Sequence, residues 1–236
     1  MRKGGLLGVL IVVFLVLLLV GAVLVLSVGG KALIKPSPKK TAGRLVTVGT
    51  FTASELEIRD VVANVLIAEG NTSGIVVKSN LPVRVSAQGD ALILYCPEEK
   101  TGLFKRRNVC SEYGNGTVVV EVPGKLEGIN LQDLVGNVLI EARATSVEMS
   151  DVVGTIVGRE WASYRISDVV GGIRIKAEGS VEIRNVVGDI AISVPRGAGV
   201  VLEEKDVMGS VTERTHREST AVEVSLSDVM GDVTIG

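Results

Sequence analysis

Seven times the chain writes an Asp or Asn, two apolar residues and then a Gly or Ala, with the acidic or amide residue at Asp60, Asp133, Asp151, Asp168, Asn185, Asp206 and Asp228. A carboxylate recurring in one fixed setting has three uses. It can cap backbone N–H groups at a bend, stack with its neighbours as a ladder, or give oxygens to a hard cation. The last needs about six to eight oxygens, and one Asp per repeat without Gly/Asp-dense loops falls short of that. Backbone capping is therefore the expected role, with no metal and no cofactor.

Other reactive side chains are few. His216, the single histidine, lies in the polar run SVTERTHREST and reads as solvent-facing. Glu178 and Glu182 are outward acids, but a carboxylate pair of that kind is available on any acidic surface. No phosphate loop, metal-ligand cluster or Ser/His/Asp arrangement is present, so the chain reads as a non-enzyme. Glu57, Arg59, Arg174, Lys176, Glu182 and Arg184 are expected to line outward faces with mixed charge. Trp161 and Tyr164, in GREWASYRIS, would either form an aromatic platform for sugar or pack against a coil end.

Cys96 and Cys110 bracket the charged excursion CPEEKTGLFKRRNVC, an arrangement that reads as a disulfide. Asn71-Thr-Ser and Asn115-Gly-Thr are glycosylation acceptor patterns in turn-like settings.

The elements that position these residues follow from the repeat itself. With the Asp/Asn as position zero, position +1 is Val or Leu and +2 is Val or Met throughout. Position +3 is Gly136, Gly154, Gly171, Gly188, Gly209 and Gly231, with Ala63 in the first copy, and +5 is always Val or Ile. Positions −4, −2 and zero alternate in phase, as do +5 and +7, which is the period of half-buried strands. The glycine between them marks a left-handed bend. Each unit is thus strand, corner, strand, and cannot bury its apolar face alone. From Asp133 onward the corners fall 18, 17, 17, 21 and 22 residues apart. This predicts an all-β, single-domain β-solenoid of about seven coils with 17–22-residue repeats, stacked in sequence order at ~4.8 Å per coil. Degenerate coils would fill the interval 65–125. An antiparallel β-sandwich or prism is the alternative.

The register G-x-[VI]-x-[VI], together with EVPGKLEGINLQDLVGNV (121–138) and SVPRGAGVVLEEKDVMGSV (193–211), resembles the putative-adhesin family of bacteria and archaea and, through it, auto-transporter adhesin heads. The resemblance covers roughly residues 45–236 and implies a β-solenoid head, often membrane-tethered. It brings no catalytic residues with it.

The first 44 residues are of another kind. Residues 1–4 are a short basic tail, and 5–30 an uncharged apolar run of the length that crosses a bilayer as one helix. Residues 31–44, KALIKPSPKKTAGR, read as a basic, Pro-containing stalk, leaving 45–236 as the repeat domain. Residues 1–44 hold seven Lys/Arg and no acid, which leaves 18 basic against 27 acidic residues, net −9, for the remainder. A domain so acidic excludes nucleic acid as a partner.

Orientation is contested. Two Lys/Arg precede the apolar run and five follow it, which places the large domain in the cytoplasm. The cysteine pair and the sequons place it outside, and the outside location is the expected one. The expected role is a membrane-anchored, surface-displayed binding or adhesion-like module. Its partners would be the bilayer through its anchor and a glycan or envelope protein. The alternative is a membrane-tethered scaffold of bactofilin type, assembling end to end through the uncapped terminal DVTIG. If the corner carboxylate caps the backbone, Asp168→Ala is expected to cost about 1 kcal/mol in thermal unfolding, and an unchanged melting temperature would count against it.

Overall fold

The computed structural model describes residues 39–100, 106–214 and 220–236. The apolar run 5–30, most of the stalk and His216 lie outside these. Among the described residues no helix is long and apolar enough to cross a membrane, and the one helical element is a short 3-10 turn at Val109–Glu112. Everything else is strand and turn.

Alternation of aliphatic and polar residues makes the strands, and parallel pairing stacks them in two columns. On the first face, Ala91–Tyr95 pairs with Glu55–Val62, which pairs with Leu126–Val135. The column continues through Ala144–Val153 and the C-terminal halves of Ile156–Val170 and Ile173–Val187. On the second face, the strands that leave each corner pair in the same order, from Thr117–Val122 and Asn64–Glu69 to Ile190–Ser193. Equivalent residues stand opposite one another. Leu56, Ile129, Val147, Tyr164 and Val181 form one buried row, and Val65, Val138, Ile156, Ile173 and Ile190 another. The two rows meet in one continuous core.

Three expectations need correction. First, the corner Asp does not continue the inward phase. Asp60, Asp133, Asp151, Asp168, Asn185, Asp206 and Asp228 all have φ between 52° and 56°, and all but the half-buried Asp60 are exposed. A left-handed residue here shifts the alternation by one, so that +1 points inward again, as at Val152, Val169 and Val186. Asp and Asn tolerate this conformation best among residues with a Cβ. The loss expected for Asp168→Ala therefore comes from left-handed strain, roughly 1–2 kcal/mol, and not from a lost cap.

Capping is done instead at +4, one residue past the glycine. Asn64 Oδ1 accepts from the Asn137 N–H (3.0 Å) and Asn137 Oδ1 from the Thr155 N–H (3.1 Å). Asp189 Oδ1 accepts from the Asp232 N–H (3.1 Å), and Asp232 Oδ1 from the Ser210 N–H (2.9 Å).

Second, stacking does not follow sequence order to the end. Thr220–Met230 pairs with Ile173–Val187 on one side and Ala198–Met208 on the other. Val233–Ile235 is likewise enclosed by Ile190–Ser193 and Val211–Glu213. DVTIG is therefore an interior strand, and the Asp206 rung closes the stack. The reason lies in its core positions. Where other rungs carry Ile58, Leu131, Met149, Ile166, Ile183 and Leu226, this one has Glu204, and where Ile67, Ile140, Ile175, Ile192 and Ile235 stand, it has Glu213. Both glutamates are exposed. Burying two carboxylates between rungs would cost several kcal/mol each, so this rung is stable only at an end.

Third, residues 65–125 do not simply add coils. Among the described residues, antiparallel pairing is confined to this end. Val46–Phe51 lies against Ile75–Ser79, Ile75–Ser79 against Thr117–Val122, and Arg84–Gln88 against Ala91–Tyr95. The excursion forms its own ribbon, Glu98–Lys100 with Arg106–Asn108, closed at its base by the Cys96–Cys110 disulfide (Cα–Cα 5.9 Å).

The corner glycines hold the rungs together most closely. Gly136, Gly154, Gly171, Gly188, Gly209 and Gly231 have φ of 146–152°. A Cβ on Gly171 would stand 1.9 Å from the Gly154 carbonyl oxygen, and the other five meet a neighbouring carbonyl at 2.1–2.3 Å. Ala63 lacks this positive φ. It ends the row, because on its far side the chain is Gly116, whose carbonyl accepts from the Asn64 N–H (2.9 Å).

Two outcomes follow. Gly171→Ala combines a glycine-only backbone with a backbone clash and is expected to cost about 4 kcal/mol in denaturant unfolding; a loss below about 1 kcal/mol would contradict the packing described. The Asp232 carboxyl is held below the usual Asp range, first by the Ser210 backbone N–H and then by its hydroxyl. A depressed folded pKa adds stability that is complete above the ordinary carboxylate range and is lost as pH falls through the folded value. Asp232→Asn keeps an acceptor that does not titrate, as Asn64 does naturally. It should flatten the fall in melting temperature between about pH 5 and pH 2, and an unchanged slope would show that this contact is not linked to folding.

Candidate functional site

A trough runs along the first face, across the strands. Its floor is set by the residue five before each corner, which is small in four successive rungs: Gly128, Ser146, Ser163 and Ser180. One wall is the outward row three before the corner, Glu57, Asn130, Glu148, Arg165, Glu182, Ser225 and Glu203. Small side chains beside long ones leave a depression of about 370 Å³ lined by Ser146, Ser163, Ser180, Arg165, Glu182 and Glu223 among others. A second, of about 250 Å³, continues it past Glu55, Glu57 and Gly128. The two share Ser146 and Glu148.

Arg165 organises the middle of the trough. Its Nε reaches Glu182 at 3.1 Å and its Nη1 reaches Glu148 at 2.7 Å, so one guanidinium ties three successive rungs. These carboxylates hold its proton still more firmly, the Glu182 hydrogen bond foremost. At 58% exposure the pairs add little stability; their effect is to fix the carboxylates in position. Glu55, Glu203 and Glu223 line the same trough without an ion-pair partner among the described residues. Carboxylate acceptors, serine hydroxyls and one guanidinium are hydrogen-bonding chemistry suited to a polar, extended ligand. Among the described residues no three His, Cys, Asp or Glu side chains converge to hold a metal ion.

The residues singled out from sequence fall in several places. Glu57, Glu182, Arg59 and Arg184 lie on the trough face as expected, with Arg59 also 5.8 Å from the Tyr95 ring. Arg174 is exposed on the second face, and Lys176 is half-buried with its Nζ 5.6 Å from the Trp161 ring centroid. No aromatic platform forms. Tyr164 is a core residue in the space that Gly158 leaves, where a Cβ would stand 2.4 Å from its Oη. Its hydroxyl donates to the Glu160 carbonyl (3.2 Å), and burial pushes its pKa well up. Asn71 and Asn115 are both exposed, the latter in a left-handed turn (φ 57°). Glu178 is exposed and makes no ion pair with a described residue.

The excursion folds back on the first corner, where Asn108 Nδ2 donates to the Asp60 carbonyl. Lys40 is fixed beside it by Glu112 (2.8 Å), whose carboxyl that contact holds below the usual range. At the bend opposite the corners, Arg143 grips Glu69 (2.5 Å) and lowers its carboxyl in the same way.

Sequence reasoning missed the trough and the +4 ladder. The signal for the first was four small residues in a row at −5, and for the second the Asn, Thr, Asp and Ser found immediately after the glycine.

No family model matches the chain, and no curated protein matches it. Solved structures do. A putative cell adhesion protein from Clostridium sporogenes aligns at 12% identity and TM-score 0.41, over 81% of this chain and 97% of the other. A putative adhesin from Bacteroides fragilis aligns at 12% identity and TM-score 0.30, over 84% and 100%. A putative lipid binding protein from Parabacteroides distasonis aligns at 10% and 0.34, over 83% and 99%.

Proposed function

We propose that this chain is a surface-displayed β-solenoid recognition head, carried on an N-terminal membrane anchor, that binds an extended hydroxyl-rich chain such as an envelope glycan and performs no catalysis. The observation that carries the proposal is the trough. It runs across successive rungs at a fixed spacing, is floored with hydroxyls and carries Glu55, Glu203 and Glu223, which form no ion pair among the described residues. A linear ligand lying along the stack would meet hydroxyl, carboxylate or guanidinium groups on successive rungs at one fixed spacing, so its contacts add along the chain.

Display outside the cell is supported by the Cys96–Cys110 disulfide, which persists in oxidising compartments, and by the exposure of both sequon asparagines. The closing rung bears on the scaffold alternative. Its edge strand carries Glu203, Glu204, Lys205 and Asp206, all exposed, and charges on an edge oppose further pairing. That favours a single head over an end-to-end polymer.

Ser163→Trp would fill the floor of the trough; because the serine Oγ stands 2.1 Å from where a Gly179 Cβ would be, a wild-type circular dichroism spectrum and melting temperature first establish that the variant folds. With the full chain in detergent micelles, a glycan array should return linear polysaccharides, and titration of the best hit should weaken at least tenfold, about 1.4 kcal/mol, in the variant. An array silent for linear glycans, or a hit whose affinity the variant leaves unchanged, would remove the trough as the binding surface.

A further inference from the structure

The corner carries a second surface of different chemistry. Position +2 is apolar in every copy and, apart from Val62, which packs against the core, is exposed. Val135, Val153, Val170, Val187, Met230 and Met208 stand in one row on adjacent rungs, from 48% exposed at Val135 to 67% at Met208. Six such side chains in line approach the ~300–600 Å² of the largest apolar patch on a soluble monomer. Strand propensity does not account for the row. Methionine is not β-branched, and the outward positions −3 and −1 of these same rungs carry Glu, Arg, Lys, Asn, Gln and Ser. Two residues before it runs the exposed row Asp133, Asp151, Asp168, Asn185, Asp228 and Asp206, in which Asn185 Nδ2 donates to Asp168 Oδ1 (3.0 Å).

We infer that this corner binds a linear polymer of amino sugars with free ammonium groups. Charge selects the class. A carboxylate row beside an apolar row repels anionic lipid headgroups, and two copies meeting through it would set carboxylates against carboxylates. The row is also far narrower than the ~800 Å² per partner of a stable dimer. Spacing selects within the cationic class. Rungs repeat every ~4.8 Å, whereas an extended peptide places same-side residues ~6.6–6.8 Å apart and falls out of step within two rungs. A 1,4-linked pyranose chain advances by close to one rung per ring. It can lay the C–H face of each ring on a Val or Met, and because successive β-1,4-linked rings are turned over, every second amine meets the neighbouring Asp row.

The test uses the full chain in zwitterionic micelles and calorimetric titration with a β-1,4-linked glucosamine hexamer, its fully N-acetylated form and hexalysine. The glucosamine hexamer should bind, the acetylated form at least tenfold more weakly, and hexalysine more weakly than the hexamer. Asp151→Asn combined with Asp168→Asn keeps a residue type that the corner already accepts at Asn185, so folding is preserved while charge is lost. This variant should weaken the hexamer at least tenfold, and Ser163→Trp, in the trough, should leave it unchanged. Any of four results would overturn the inference: no binding of the hexamer, equal binding of its acetylated form, equal or better binding of hexalysine, or indifference to the double variant. Stripe-dependent dimers of the wild-type chain would assign the surface to a second copy instead. Loss of binding in Ser163→Trp alone would move the ligand to the trough and leave the corner unoccupied.

Discussion

At each corner the backbone of one rung comes so near the next that no side-chain atom fits between them. The Gly171 α-carbon faces the Gly154 carbonyl oxygen, and a Cβ there would lie 1.9 Å from it. This contact sets the stacking distance, and the stacking distance sets everything carried on the rungs. Parallel hydrogen bonds such as Gly154 N–H to the Val170 carbonyl (3.0 Å) and Gly171 N–H to the Val187 carbonyl (2.9 Å) form only when the corners nest in this way. Once they do, side chains with the same number relative to the corner must fall in rows. The buried rows become a core, and the outward rows become surfaces of constant chemistry.

A stack of identical rungs has no reason to stop, since the face that receives the last rung is the same as the face it offers. Two different devices end this one. At the start, Val46–Phe51, Ile75–Ser79 and Arg84–Gln88 add antiparallel pairings to the parallel columns, and the disulfide-closed excursion leans on the Asp60 corner. At the other end, the Asp206 rung has a core-forming side toward Val224 and Val233 and carries Glu204 and Glu213 where every rung beneath it is apolar or Gly. Because that rung cannot be enclosed, the final seventeen residues of the chain, 220–236, slide beneath it and take the interior place. Sequence order gives way to the cost of burying charge.

How much of this could be read from residues alone depends on which interaction each feature expresses. The corners, the two strands around each and the disulfide were legible because each rests on local chemistry: Asx and Gly at a bend, alternation along a strand, two cysteines around one excursion. Parallel registration of Val147 with Tyr164 and Val181 followed from the 17-residue spacing. The phase of the corner Asp was misread because period-2 counting assumes an uninterrupted strand, and one left-handed residue shifts the count. The order of the last two rungs was misread because all seven copies agree at −4, +1, +2 and +5. The information lay in the disagreement at −2 and +7. Tyr164 stayed open between an aromatic platform and packing against a coil end because the space it fills is made by Gly158, and a missing side chain leaves no positive mark in a sequence.

The outward rows separate structural need from anything further. A rung must have its glycine, its left-handed Asx and its inward aliphatics, and departures at those positions are few: Ala63, Glu204 and Glu213 stand where the stack ends, and Tyr164 and Gly158 complement each other within it. No strand or corner requirement governs −5 or +2: the +2 side chains from Val135 to Met208 are about half exposed or more, and at −5 the Ser146 hydroxyl donates to the Glu127 carbonyl (3.4 Å). Solvent-facing positions left to drift would vary from rung to rung, as −3 and −1 do with Glu, Arg, Lys, Asn, Gln and Ser. Yet −5 stays small over four rungs and +2 stays aliphatic over all seven, including two methionines that strand formation does not ask for. Uniformity without a folding reason points to something outside the chain that meets several rungs at once. A ligand long enough to do so must itself repeat, because only a repeating partner is served by a repeating surface.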